Sequence, residues 1–177
     1  MTDKYRVFVA TYFRQGITSD KRNRTILKYA TYHWAIWIEG KKSTGPGYCF
    51  DVKEHPPFSN VPNSGGWKYE CRHENLAESH GMLGRMMIGK LPKGVTVQDV
   101  DGLLQGIPLP KPNSTSVENR VSWVQAAVRV LQEKSWADDF DVDELMNHVF
   151  NESDKWYQEN ENLQDKPKIA NYTNRPL

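Results

Sequence analysis

The pattern of apolar and polar positions divides the chain into a strand-rich first half and a helix-rich second half. Tyr5–Tyr12 alternates and is rich in β-branched and aromatic residues, which predicts a first strand. Ala30–Ile38 carries the strongest strand pattern: Tyr32, Trp34, Ile36 and Ile38 share one face, and His33, Ala35 and Trp37 the other. Both faces are largely apolar, so this strand is expected inside a sheet, covered on both sides. Gly40–Gly47 reads as a turn and Tyr48–Glu54 as the next strand, making a hairpin. Trp67–His73 and Met82–Leu91 are predicted to complete the sheet. The basic stretch Arg14–Lys28 reads as a solvated loop, and the proline- and glycine-rich stretch 55–66 as a pocket wall or lid.

The period then changes from two to that of a helix. Thr96–Gln105 is a short helix stopped by Gly106 and Pro108. Ser114–Trp136 is the best-specified element, with Val117, Val121, Val124, Val128 and Leu131 in one stripe. Thr115 and Glu118 have capping-box spacing at its start. A last helix is capped by Asp141, with Val142, Leu145, Met146, Val149, Phe150 and Trp156 as its buried face. From Gln158 onward the chain is polar and reads as a C-terminal arm (158–177). Strands first and helices last predict an α+β domain spanning 1–177. Its antiparallel sheet should hold at least four strands, with the C-terminal helices mainly on one face and the 114–136 helix packed on the face that carries His33.

Charge narrows the function classes. Lys+Arg 23 against Asp+Glu 22 leaves no basic excess, which argues against a nucleic-acid or membrane-surface protein. No apolar run approaches spanning length and no export signal is evident, so a cytoplasmic location and unbridged Cys49 and Cys71 are expected. The sequence does not specify an oligomeric state.

His33 is the leading chemical candidate. A mid-strand histidine opposite a strand bearing Asp51 can be a general base oriented by a carboxylate, and strands seldom hold an internal acid without such a reason. A core histidine satisfied by backbone carbonyls is the alternative. Arg120, at the edge of the helical stripe near a helix start, is a candidate anion holder. Cys71 and His73, with His55 and His80 further off, supply only one short ligand spacing where structural zinc needs two, so no metal is expected. Ser122 and Cys49 lack a nucleophile context, and no phosphate-loop or dinucleotide glycine motif occurs, so no cofactor is implied.

The order HWAIW around His33, then GYCFDV, then Asn119-Arg120-Val121-Ser122-Trp123 resembles a group of small fungal proteins. Their layout is similar to permuted papain-like folds, the NlpC-like and lecithin:retinol acyltransferase-like enzymes, over about Tyr5–Leu131. The resemblance implies that His33 takes the place of the catalytic histidine and Asn119 that of the asparagine before the nucleophile. Arg120 then stands where those enzymes carry cysteine. A guanidinium cannot attack a carbonyl, so the likeness implies a cleft without thiol chemistry.

Together these features lead to the expectation of a cofactor-independent enzyme acting on a small molecule: an isomerase, cyclase or hydrolase of fungal specialised metabolism. Its cleft would lie between the His33 strand and the start of the 114–136 helix. His33, Asp51 and Arg120 would be catalytic, and Trp37, Trp67, Tyr69, Asn119 and Trp123 would bind the substrate. A catalytically inactive binding module that kept the cleft for a ligand or protein partner is the alternative.

Overall fold

The computed structural model describes residues 4–42, 45–62, 65–79, 81–111 and 119–177. Its strands are β1 (Arg6–Tyr12), β2 (His33–Glu39), β3 (Pro46–His55), β4 (Gly66–Asn75), β5 (Met82–Lys90) and β6 (Lys168–Asn171). They form one 6-stranded sheet in the order β4-β3-β2-β1-β5-β6. All neighbours are antiparallel except β5 and β6, which run parallel. The sheet is therefore mixed, where an antiparallel one was expected. The C-terminal stretch is not a loose arm, because β6 closes one edge of the sheet. The predicted strand over Ala30–Ile38 begins only at His33, since Lys28–Thr31 forms a 3₁₀ turn. As expected, it is internal, with β1 on one side and β3 on the other.

The pleat sorts the sheet into two unlike faces. Val7, Val9, Trp34, Ile36, Ile38, Phe50 and Val52 join the helices in the main core. The opposite face carries Phe8, Ala10, Tyr12, Ala35, Trp37 and Cys49 in a second apolar cluster. Strand registers Tyr12↔His33, Trp37↔Cys49 and Cys49↔Arg72 place His33, Asp51 and Arg72 on that second face.

Among the described residues there are four helices: α1 (Asn23–Ile26), α2 (Val97–Gln105), α3 (Arg120–Glu133) and α4 (Val142–Glu159). Thr96 caps α2 in a box with Asp99, and Asp141 caps α4 through the Glu144 N–H at 2.8 Å. The α3 stripe buries Val121, Val124, Val128 and Leu131 as expected, along with Trp123 and Ala127. Full burial of each such aliphatic side chain contributes roughly 1.5–3 kcal/mol, so the stripe holds the helix to the sheet. The cap of α3 is Asn119, whose Oδ1 accepts from Val121 N at 2.7 Å while Ser122 Oγ accepts from Asn119 N at 2.9 Å. The predicted start of this helix, with Val117 and the Thr115–Glu118 box, lies outside the described residues. Ser135, at a φ of 58°, ends the run.

One expectation is overturned here. The long helix packs on the Trp34/Ile36 face and not on the face that carries His33. Both faces of β2 are apolar, but the second face is interrupted by charge. Arg6, Glu39 and Arg85 are buried there as one cluster: Glu39 accepts from Arg6 Nη2 at 2.9 Å, Arg85 Nε at 2.9 Å and Trp37 Nε1 at 2.8 Å. Both guanidinium groups also lie over the Phe8 ring, at 5.5 and 5.6 Å. Trp37 lies so close over Gly47 that a Cβ there would come within 2.2 Å of the indole. Among the described residues, no helix is long and apolar enough to cross a membrane.

Candidate functional site

His33 opens β2 at the end of the sheet where β1 stops, and Asp51 sits in the neighbouring strand. Asp51 is 0 % exposed, yet none of its charge is left unmatched. Its Oδ2 accepts from His33 Nε2 at 2.7 Å, and Arg72 clasps both oxygens through Nη1 at 2.9 Å and Nη2 at 3.1 Å. Arg72 is held in turn by Glu74, at 2.9 Å from its Nε, and by Glu70. Burial alone would raise the Asp51 pKa; the hydrogen bonds from His33 and Arg72 outweigh it and hold the carboxyl at about 2.

The electrostatics at His33 point the other way. Burial lowers its pKa below 6.5, against the pull of Asp51, and the charges of Arg120 and Lys53 add to the lowering. At neutral pH the ring is therefore mainly uncharged. An ionised Asp51 requires a proton on Nε2, which leaves a lone pair on Nδ1. No described residue hydrogen-bonds Nδ1, and that atom is not among the sealed, unpartnered nitrogens. A base supported by a buried carboxylate and open on its other nitrogen is thus assembled.

The opening is a cleft of about 580 Å³ on the second face of the sheet, lined by Tyr12, His33, Asp51, Lys53, Arg72 and Glu74 among others. Its walls are mostly polar or charged, which differs from the expected aromatic walls. The Tyr12 and His33 ring centroids are 5.7 Å apart. Beneath them Cys49 is enclosed by Tyr12 Oη at 3.5 Å and Arg72 Nη2 at 3.4 Å. Burial, then the nearby Asp51 charge, pushes its thiol up to about 12, so Cys49 is no nucleophile. Cys49 and Cys71 are both free; they lie on strands β3 and β4 with side chains on opposite faces and cannot be bridged there.

The remaining candidates divide. Trp37 and Trp123 are 0 and 2 % exposed and cannot wall a substrate site; both are core residues. Tyr69 faces the helices, where it donates to Asp101 at 2.6 Å and its ring lies 5.8 Å from Trp123. Asn119 is spent on capping α3. Arg120 does not line the cleft; its guanidinium lies 5.8 Å from the centre of the half-buried Trp67 ring, which packs against the helix-side core. The cleft consequently does not lie between β2 and the start of α3, as the sequence suggested. Arg120 is nonetheless near enough for its charge to be felt at His33 and Arg14. His55 and His73 belong to no group of three or more metal-ligating side chains among the described residues, and His80 lies outside them.

Arg72 is the member of this cluster that sequence reasoning missed. The run Glu70-x-Arg72-x-Glu74 puts three charges on one face of a strand, which an apolar sheet surface tolerates only around a polar centre. That alternation was the available signal.

No curated protein and no solved structure matches the chain. Residues 4–166 match DUF6914, a family of unknown function, and the chain belongs to that family.

Proposed function

We propose that the protein is an enzyme that moves a proton on a small polar molecule held in the His33 cleft, with no cofactor in the step. The observation that carries this is the His33–Asp51–Arg72 relay: an uncharged imidazole with Nε2 fixed by a buried carboxylate and Nδ1 open to the cleft. A base held below the ordinary histidine value is mainly in its active form at pH 7, and Asp51 stabilises the imidazolium that forms. No side-chain hydroxyl or thiol is hydrogen-bonded to His33 among the described residues, so the base acts on the substrate itself or on water. This favours isomerisation, cyclisation or water-dependent hydrolysis over acyl transfer through the protein. The likeness to permuted papain-like enzymes then concerns chain order, with their chemistry replaced.

A binding module without turnover is the second reading. It is favoured by the lack, among the described residues, of a proton-carrying partner on Nδ1 that would complete a relay. One experiment separates the two. A panel of small ketones, lactones and esters is incubated with protein in deuterated water and followed by NMR. The enzyme reading expects deuterium exchange or conversion of at least one compound, reduced about 10²–10⁴-fold in His33→Gln. Compounds that bind but are neither exchanged nor converted, equally in wild type and variant, would leave only the binding module.

A further inference from the structure

Two guanidinium groups without an ion-pair partner lie near enough to the site for the charge of Arg120 to be felt at both Arg14 and His33. Arg14 follows β1 by two residues and donates from Nη1 to the Ala30 carbonyl, three residues before His33. Arg120 opens α3 with one face of its guanidinium on Trp67. Neither makes an ion pair: no carboxylate lies within 4.0 Å of either among the described residues. The acids whose charge reaches Arg120 are Asp51, already clasped by Arg72, and the exposed Glu54. Nor does any described acceptor take an Arg120 N–H, and one turn along α3 the Trp123 Nε1–H is buried without a partner.

Such an arrangement is costly as it stands. Burial lowers the pKa of both arginines, that of Arg14 to about 10, and the charge of Arg120 lowers Arg14 further. Two half-buried like charges repel, and neither has an ion-pair partner to offset the other. An arginine whose flat face is covered by an indole keeps its in-plane N–H edge free, which is the edge that grips carboxylate and phosphate. Lys53, on the cleft wall, adds a third positive charge near His33.

We infer that Arg14 and Arg120 form the anion-binding end of the His33 site, so that the substrate is a small molecule carrying a carboxylate or phosphate group. This rests on the proton-transfer reading and adds the substrate's charge. The anion would sit at the two guanidinium groups, with the remainder of the molecule reaching toward the open Nδ1 of His33. It would relieve the repulsion between the arginines and screen their charge from His33.

The test follows the His33 imidazole by proton NMR, its signal assigned by loss in His33→Gln. Inorganic phosphate and, separately, acetate are titrated at constant ionic strength. Saturable binding should raise the His33 pKa by about half a pH unit or more, because a neighbouring positive charge is neutralised. Arg120→Met and Arg14→Met should each abolish the saturable response while keeping a native spectrum, and without anion Arg120→Met, which gives up no hydrogen bond, should melt no lower than wild type. Should one variant fail to fold, the other carries the test. No saturable response in the wild type, or one retained in a folded variant, overturns the anion site. If anions bind as described while His33→Gln leaves turnover intact, the anion site stands and the assignment of His33 as base fails.

Discussion

Replacing Asp51 by asparagine removes one negative charge and changes little in volume, so it isolates the electrostatic role of the buried carboxylate. In the folded protein Asp51 titrates at about 2 against an ordinary 3.8. That difference corresponds to ~2.5 kcal/mol of stability at neutral pH. Asparagine can still accept one hydrogen bond, but Arg72 loses its bidentate charged partner and keeps only Glu70 and Glu74. A net loss of about 2–4 kcal/mol is expected, or ~5–12 °C in melting temperature for a domain of this size. The sign of the pH dependence is fixed. The folded value is the lower one, so as pH falls the unfolded chain takes up its proton first. Wild-type advantage is complete well above 3.8 and disappears as pH falls through about 2. Urea denaturation of both proteins across this range measures the gap. A gap below about 0.5 kcal/mol at pH 7, or one that does not close in acid, would refute the claim that His33 and Arg72 hold Asp51 ionised.

Further outcomes are expected. His33 is held below 6.5, so its unfolded form also binds the proton first; stability should fall as pH drops below that value, and His33→Gln should flatten this part of the curve, as read by denaturation between about pH 7 and 5. In Gly47→Ala the new Cβ would meet Trp37 at 2.2 Å, and because that indole is tied to Glu39 a loss of about 1–3 kcal/mol is expected by thermal melting. Denatured, unreduced protein should show both thiols free. In the native state Cys49 should resist a thiol reagent, while exposed Cys71, pushed up to about 11, should react more slowly than free cysteine at pH 8.

The strands and helices of the main core could be read from the chain because their periods are set by burial. Trp34, Ile36 and Ile38 alternate as a strand must, and Val121, Val124, Val128 and Leu131 trace one side of a helix. Which face of β2 the helix covers could not be read, since Trp37 and Ala35 are as apolar as their neighbours. The choice depends on registers that bring Arg6, Glu39, Asp51, Arg72 and Arg85 onto one surface, and a register joins segments far apart in the chain. His33 and Asp51 were legible because each breaks an apolar strand. Their partner Arg72 was not, being one charge among many in a polar edge strand. β6 escaped notice because it is short, and its parallel partner β5 lies far back in the chain.

The buried cluster of Arg6, Glu39 and Arg85 has a consequence for how the sheet assembles. These residues come from three adjacent strands and meet only when β1 is aligned with both β2 and β5 in the native frame. A slip of one residue in β1 would turn Arg6 toward the helices and bring Val7 beside Glu39, stranding charge in the main core. Apolar pairing alone would penalise that slip weakly, since β1 and β2 are apolar on both faces. The cluster therefore acts as a proofreading key for alignment. A variant with all three positions made apolar could match the native protein in stability yet populate misaligned sheets, visible as doubled amide resonances from β1.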